Sequence, residues 1–271
     1  MVVTDLDGTL LGPDRTVSSR DLQTLTDLGR AGVCRVIATG RSRYSAASVL
    51  PDDLPVDYLI FSSGAGIVDR KTGQMLYARN LSAETADRVA GFLTARRLDF
   101  MIQSPIPDNH RFTYVRVGRS NPDFERRIIL YRKFARPLDR DVSNVGEACQ
   151  IIVIVPEATG PSIYHDIKRR LAGVKVIRTT SPLDGQSIWI EIFPDGVSKA
   201  HAAQWLCDRH AIHPSRTLGI GNDYNDLDLL EWAGHSRVMA NAPPVMMDRF
   251  DVTDSNRNSG FTHAVTQHIA I

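Results

Sequence analysis

The sequence is short of the features that mark several protein classes. Only three of its 271 residues are cysteine, Cys34, Cys149 and Cys207, odd in number, far apart and set in apolar stretches. That excludes a disulfide framework and any cysteine metal spacing, so buried, reduced thiols are expected. No apolar run approaches the roughly 20 residues of a membrane-spanning helix, so no membrane partner is expected. The formal net charge is only +1, and no basic block carries interleaved aromatics. A nucleic-acid partner is therefore not expected either. No charged segment followed by an apolar one opens the chain, and a cytoplasmic location is the default. There is no internal repeat and no low-complexity tract. What remains is a chain with 42% hydrophobic residues, enough for one or two ordinary cores. Nothing in it bears on oligomeric state.

Against this plain background the stretch "VVTDLDGTLL" stands out. In an extended strand Asp5 and Asp7 share a face, with Cα atoms roughly 7 Å apart. Two like charges at one spot are costly unless a cation, a ligand or a shared proton compensates. Gly8 follows, a residue that permits a sharp turn or close approach of a ligand. Asp-Gly is also an ordinary turn dipeptide, so a strand ending in a polar turn is the plain alternative.

The hydrophobic pattern supplies a setting for the pair. "VVTDL", "VCRVIATG" and "YLIFSSG" are short, continuous apolar strands, and "SSRDLQTLTDLGRAG" between the first two is an amphipathic helix with Ser18 or Ser19 as its cap. Strand, helix, strand is the rhythm of a parallel sheet covered by helices. "GIVDRKTGQMLYARN" reads as a hairpin turning at Thr72-Gly73. From Ser82 to Gln186 the order changes to α+β, and from Ser187 the strand-then-helix rhythm returns. The expected fold class is α/β: a doubly wound, Rossmann-like core from residues 1–81 and 187–271, with an α+β cap domain, 82–186, inserted in it. Each core strand ends in a small polar cluster, and ligands of open α/β sheets bind at such carboxyl ends.

Two further stretches carry chemistry. In "DGVSKAHAAQW", Ser198 occupies an N-cap position and Lys199 the first helical turn, where a cation opposes the helix dipole and a nearby anion would account for it. "GNDYNDLDLL" gathers Asp223, Asp226 and Asp228 with Asn222 and Asn225 where a strand meets a helix. First-turn acids cap helices, which covers Asp226 and Asp228 but not the whole cluster. Hard oxygen donors gathered beside another acid pair are what Mg²⁺ takes.

Taken in order, "DLDGTLL", "ATGR", "GVSKAHA" and "GNDYNDLDLL" resemble the four motifs of the haloacid dehalogenase superfamily of phosphohydrolases. The similar branch is the one with a large α/β cap, which includes the Cof-like and sucrose-phosphatase-like enzymes. The resemblance implies that Asp5 is the nucleophile, forming an aspartyl-phosphate. It implies that Asp7 is the general acid and base, with its backbone carbonyl facing the metal. Thr39 and the N–H of Gly40 would bind the transferring phosphoryl group, Lys199 would neutralise it, and Arg41 would reach the substrate. Asp5, Asp7, Asn222, Asp223, Asn225 and Asp226 form the implied metal set.

Two departures from the family pattern stand out. Ser63-Gly64-Ala65 replaces Asn-Gly-Ala, which makes Ser63 a candidate polar contact. Asn222 stands where the family carries its first metal-binding aspartate, and its carbonyl oxygen is the expected ligand, with Asp223 behind it. The expected function is hydrolysis of a small phosphomonoester, first among them a sugar phosphate, with Mg²⁺. A sugar phosphomutase and a receiver-like phosphoacceptor module are the alternatives. Among cap residues, Arg116, Arg119, Arg126 and Lys133 are basic candidates that solvated faces explain equally well.

Overall fold

The structure, a computed structural model, describes residues 1–117, 120–138 and 142–270. In chain order the first elements are β1 Val2–Thr4, α1 Ser19–Arg30, β2 Arg35–Ala38, α2 Arg43–Ala47, β3 Tyr58–Phe61, β4 Gly66–Asp69 and β5 Met75–Ala78. There follow α3 Ala83–Ala95, β6 Phe100–Gln103, β7 Phe112–Val115, α4 Pro122–Leu130, β8 Ala135–Pro137, β9 Gln150–Val155, α5 Gly160–Arg170, β10 Val174–Thr180 and β11 Ile188–Pro194. The last are α6 Lys199–His210, β12 Leu218–Gly221, α7 Leu227–Trp232, β13 His235–Met239, α8 Pro244–Met247, β14 Val252–Thr253 and α9 Gly260–Thr266. They form two compact units, Met1–Ala78 with Ser198–Ile271, and Arg79–Val197.

In the first unit the described strands make one sheet in the order β14-β13-β12-β1-β2-β3-β4-β5. Strands β14 to β3 are parallel, and β4 and β5 close the edge as the antiparallel hairpin. Both faces of β1 are buried, which is why "VVT" carries no alternation. Val3, Val36 and Ile60 pack against Ala202 and Leu206 of α6 and Leu229 of α7. Helix α1 begins where Ser18 accepts the N–H of Asp21, and its Thr24 hydroxyl meets Thr262 of α9 at 2.9 Å. Chain order runs outward from β1 in both directions, which places the reversal of strand order between β12 and β1.

The second unit holds a separate sheet, β10-β11-β9-β6-β7-β8. Ile151, Val153 and Val155 face α3 and α5, while Ile152 and Ile154 pack on the opposite face with Phe124 of α4 and Trp189. Covering both faces makes "QIIVIV" apolar throughout. The strand Ile188–Pro194, assigned by its sequence pattern to the core, pairs instead with β9 and β10, Ile188 lying opposite Val155 and Thr180. An apolar strand followed by a helix reads alike in either sheet, so local pattern did not identify its partners. Of the basic candidates, Arg116 pairs with Glu125, Arg126 donates to the Leu183 carbonyl at 2.7 Å, Lys133 is exposed, and Arg119 lies outside the described residues.

Candidate active site

Four parallel strands deliver the candidate residues to one end of the first sheet. Asp5 follows β1, Thr39 to Arg41 follow β2, Ser62 to Gly64 follow β3, and Asn222 to Asp226 follow β12. Register fixes their level, since Thr4 lies beside Ile37 on one side and Ile220 on the other. The Asp5 N–H extends the ladder by one bond, donating to the Ile220 carbonyl at 2.8 Å.

Lys199 is the centre of a buried charge cluster. Its Nζ donates to Asp5 Oδ1 at 2.5 Å and to Asp226 Oδ1 at 2.6 Å. This is the anion that its place at a helix N-terminus called for. Burial would pull the ammonium down, but Asp226 and Asp5 more than reverse this and hold it above the usual lysine range. Burial, with Asp226 facing it, pushes the Asp5 carboxyl up to about 7, against the pull of Lys199.

Asp226 has little capacity left for a cation. Its Oδ1 is on Lys199, and its Oδ2 accepts the backbone N–H groups of Asn222 at 2.8 Å and Asp223 at 3.0 Å. The fully buried side chain thus bonds both Lys199 and the backbone of its own loop. Asp223 forms a capping box with Asp226 at the turn Tyr224–Asp226.

Arg41, expected to reach the substrate, has partners within the chain. Its guanidinium grips Asp7 with two bonds of 2.7 Å and reaches the Ser45 hydroxyl at 3.1 Å. Thr39 is buried, and its Oγ1 accepts the Arg41 N–H at 3.1 Å. Beside it, Ser62, Ser63 and Gly64 run consecutively at φ of 48°, 53° and 104°. Such backbone is costly for serine and is held here by bonds from the Ser62 N–H to the Arg41 carbonyl and the Ser63 N–H to the Thr39 carbonyl. Ser63 Oγ and the Asn225 amide both flank Gly40, each 3.5 Å from where a Cβ would sit. Ser63 is thus at the site, as its sequence position suggested.

The Asn222 side chain lies among Asp5 Oδ2, the Asp7 carbonyl and Thr9 Oγ1, at 3.1, 2.9 and 3.0 Å from one end of its amide. A carboxylate oxygen, a backbone carbonyl and an amide oxygen are hard donors of the kind a small divalent cation takes. The loop wraps this place tightly. At Gly8, with φ of 78°, a Cβ would come within 2.5 Å of the amide. The residues present fit a cation held by few protein oxygens, and among the described residues no cluster of three or more His, Cys, Asp or Glu forms a fuller cage.

Residues 2–265 match the family of haloacid dehalogenase-like hydrolases. The chain belongs to that family. Among its relatives is the 5-amino-6-(5-phospho-D-ribitylamino)uracil phosphatase YwtE of Bacillus subtilis, 25% identical, with 98% of this chain and 96% of that one aligned. The HMP-PP phosphatase of an Enterobacter species is 21% identical over 97% and 93% of the two chains. The solved structure of the phosphatase BT1666 from Bacteroides thetaiotaomicron shares the fold, with a TM-score of 0.79, 22% identity and coverage of 98% and 93%. The subclass IIB sugar phosphatase BT4131 gives 0.76, 18% identity and coverage of 98% and 97%.

The candidate site also includes residues that sequence reasoning passed over. Thr9 is buried against Asn222, and it lay within the quoted motif as an unexplained polar residue. Asn241 donates to the Gly8 carbonyl at 2.8 Å from the loop after β13, where no periodic pattern marks it.

Proposed function

We propose that this chain is a Mg²⁺-dependent phosphatase for a small phosphorylated metabolite, with a sugar phosphate as the first class to test, and that it works through an aspartyl-phosphate on Asp5. The observation that carries the reading is the division of labour at Asp5 and Asp7. Asp5 is buried with Lys199 on one oxygen, while Asp7 keeps a partly exposed carboxylate beside it. The phosphatases among the relatives, acting by name on a phosphoribityl compound and on HMP-PP, support the substrate class.

In the first half-reaction an Asp5 carboxylate oxygen attacks phosphorus, the bond to the ester oxygen breaks, and that oxygen takes a proton from Asp7. In the second, Asp7 takes a proton from water as the water oxygen attacks phosphorus, and the P–O bond to Asp5 breaks to release phosphate. Lys199, Thr39 and the Gly40 N–H face the charge that develops on the phosphoryl oxygens. Asp5, the Asp7 carbonyl and Asn222 would hold Mg²⁺, which supplies charge neutralisation for the phosphoryl group and the nucleophile. Asn225 and Asp223 support the same loop.

The test is a screen of phosphorylated metabolites for phosphate release, with Mg²⁺ and with EDTA, using the parent chain and Asp5→Asn. Release that needs Mg²⁺ and Asp5 is expected. Turnover retained by Asp5→Asn, or no release from any phosphomonoester, would overturn the reading.

A further inference from the structure

The surroundings of Asn222 hold more information than its identity. The side chain is confined by Gly8 on one side, and the Gly8 loop is itself held by Asn241. What stays open is rotation of the terminal amide by half a turn, which exchanges its NH₂ and its oxygen with no change in shape.

The partners distinguish the two orientations. With the NH₂ inward, it faces three acceptors, Asp5 Oδ2 at 3.1 Å, the Asp7 carbonyl at 2.9 Å and Thr9 Oγ1 at 3.0 Å. With the oxygen inward, the Thr9 hydroxyl donates to it at 3.0 Å. The Asp5 carboxylate oxygen and the Asp7 carbonyl then confront a third oxygen with no proton between them. Oxygens converge in this way around a cation, and an NH₂ group cannot ligate one.

We infer that Asn222 is a two-position switch: its NH₂ turns inward and stands in for the cation in the metal-free protein, and its oxygen turns inward when the cation binds. The inference rests on the reading of this place as a Mg²⁺ site. In the metal-free state both Asp5 oxygens are then satisfied, Oδ1 by Lys199 and Oδ2 by Asn222. An aspartate at 222 would set a further anion against Asp5 Oδ2 and offer no N–H. The asparagine therefore exchanges cation affinity for a loop that is organised before the cation arrives. Thr9 serves both orientations, its hydroxyl accepting from the inward NH₂ or donating to the inward oxygen at 3.0 Å.

The test uses ¹⁵N-labelled full-length protein, with the Asn222 NH₂ resonances assigned by their absence in Asn222→Asp. In EDTA these protons should exchange slowly with water. Saturating Mg²⁺ should shift them and speed their exchange. Calorimetric titration should show Asn222→Asp binding Mg²⁺ about tenfold or more tightly than the parent, through its added ligand charge. Its melting temperature should fall in EDTA and rise with Mg²⁺ by more than the parent's does. Mg²⁺ binding that leaves the Asn222 resonances unchanged would overturn the switch and leave the phosphatase reading intact. If neither the parent nor Asn222→Asp bound Mg²⁺, the metal reading itself would fall, and the switch with it.

Discussion

Arg41 clasps Asp7 through two parallel bonds, Nε to Oδ2 and Nη2 to Oδ1, each 2.7 Å long. Such a paired grip fixes the plane of a carboxylate as well as its place. On the proposed mechanism Arg41 is a positioning residue for Asp7. Arg41→Lys keeps the charge but loses the fork. Its kcat should fall by about tenfold or more, as a charge-assisted bond is lost, with KM nearly unchanged. A raised KM at constant kcat would show instead that Arg41 acts on the substrate directly.

Lys199 is the only basic side chain shown bonded to Asp5 and Asp226 among the described residues. Removing it leaves buried carboxylates without their cation. Lys199→Met should destabilise the protein by about 3–5 kcal/mol, the usual cost of breaking a buried pair from one side. Lys199→Met with Asp226→Asn should recover part of that loss, because the second change removes one uncompensated charge. Denaturant unfolding of the four members of the cycle measures the coupling. A double variant no more stable than Lys199→Met would mean that packing, not charge, sets the cost.

Gly64 sits at φ of 104°, and a Cβ there would lie 2.1 Å from the Ser198 carbonyl oxygen, at the entrance to α6. Gly32, at φ of 71°, has open space around it. Gly32→Ala should cost about 1–2 kcal/mol from its backbone conformation alone. Gly64→Ala must also push apart the Ser63 turn and the helix that carries Lys199, and it should lose more stability and most of its activity. Equal stability losses in the two variants would show that the close approach is easily relieved.

The residues legible in the sequence are those that break a local rule. Asp5 and Asp7 crowd one charge against another, and Lys199 stands at the wrong end of a helix. Each demanded a partner before any partner was known. The partners themselves were hidden by distance along the chain. Asp226 served equally well on paper as a helix cap or a ligand, and its bond to Lys199, 27 positions away, could be read from neither pattern. The Arg41–Asp7 pair spans 34 positions. The parallel core was readable because its strands are apolar on both faces. The sheet to which Ile188–Pro194 belongs was not, since both sheets are apolar on both faces. Nor does "SSG" advertise three consecutive left-handed residues, which depend on the carbonyls of Thr39 and Arg41.

The roles given to Asp5 and Asp7 separate in time, and that separation is measurable. An aryl phosphate with an acidic phenol needs little help from a proton donor as it leaves, whereas water attacking the aspartyl-phosphate still needs a base. Asp7→Asn should therefore form the intermediate from an aryl phosphate and fail to discharge it. Rapid mixing should give a burst approaching one phenol per chain, followed by a steady state about 10²–10⁴-fold slower than the parent's. Acid quenching during that phase should leave phosphate on the peptide that contains Asp5. An alkyl phosphate, whose alkoxide must be protonated to leave, should give no burst with the same variant. Asp5→Asn should give none with either ester. A parental steady state in Asp7→Asn would remove Asp7 from proton transfer, and a burst in Asp5→Asn would move the nucleophile elsewhere.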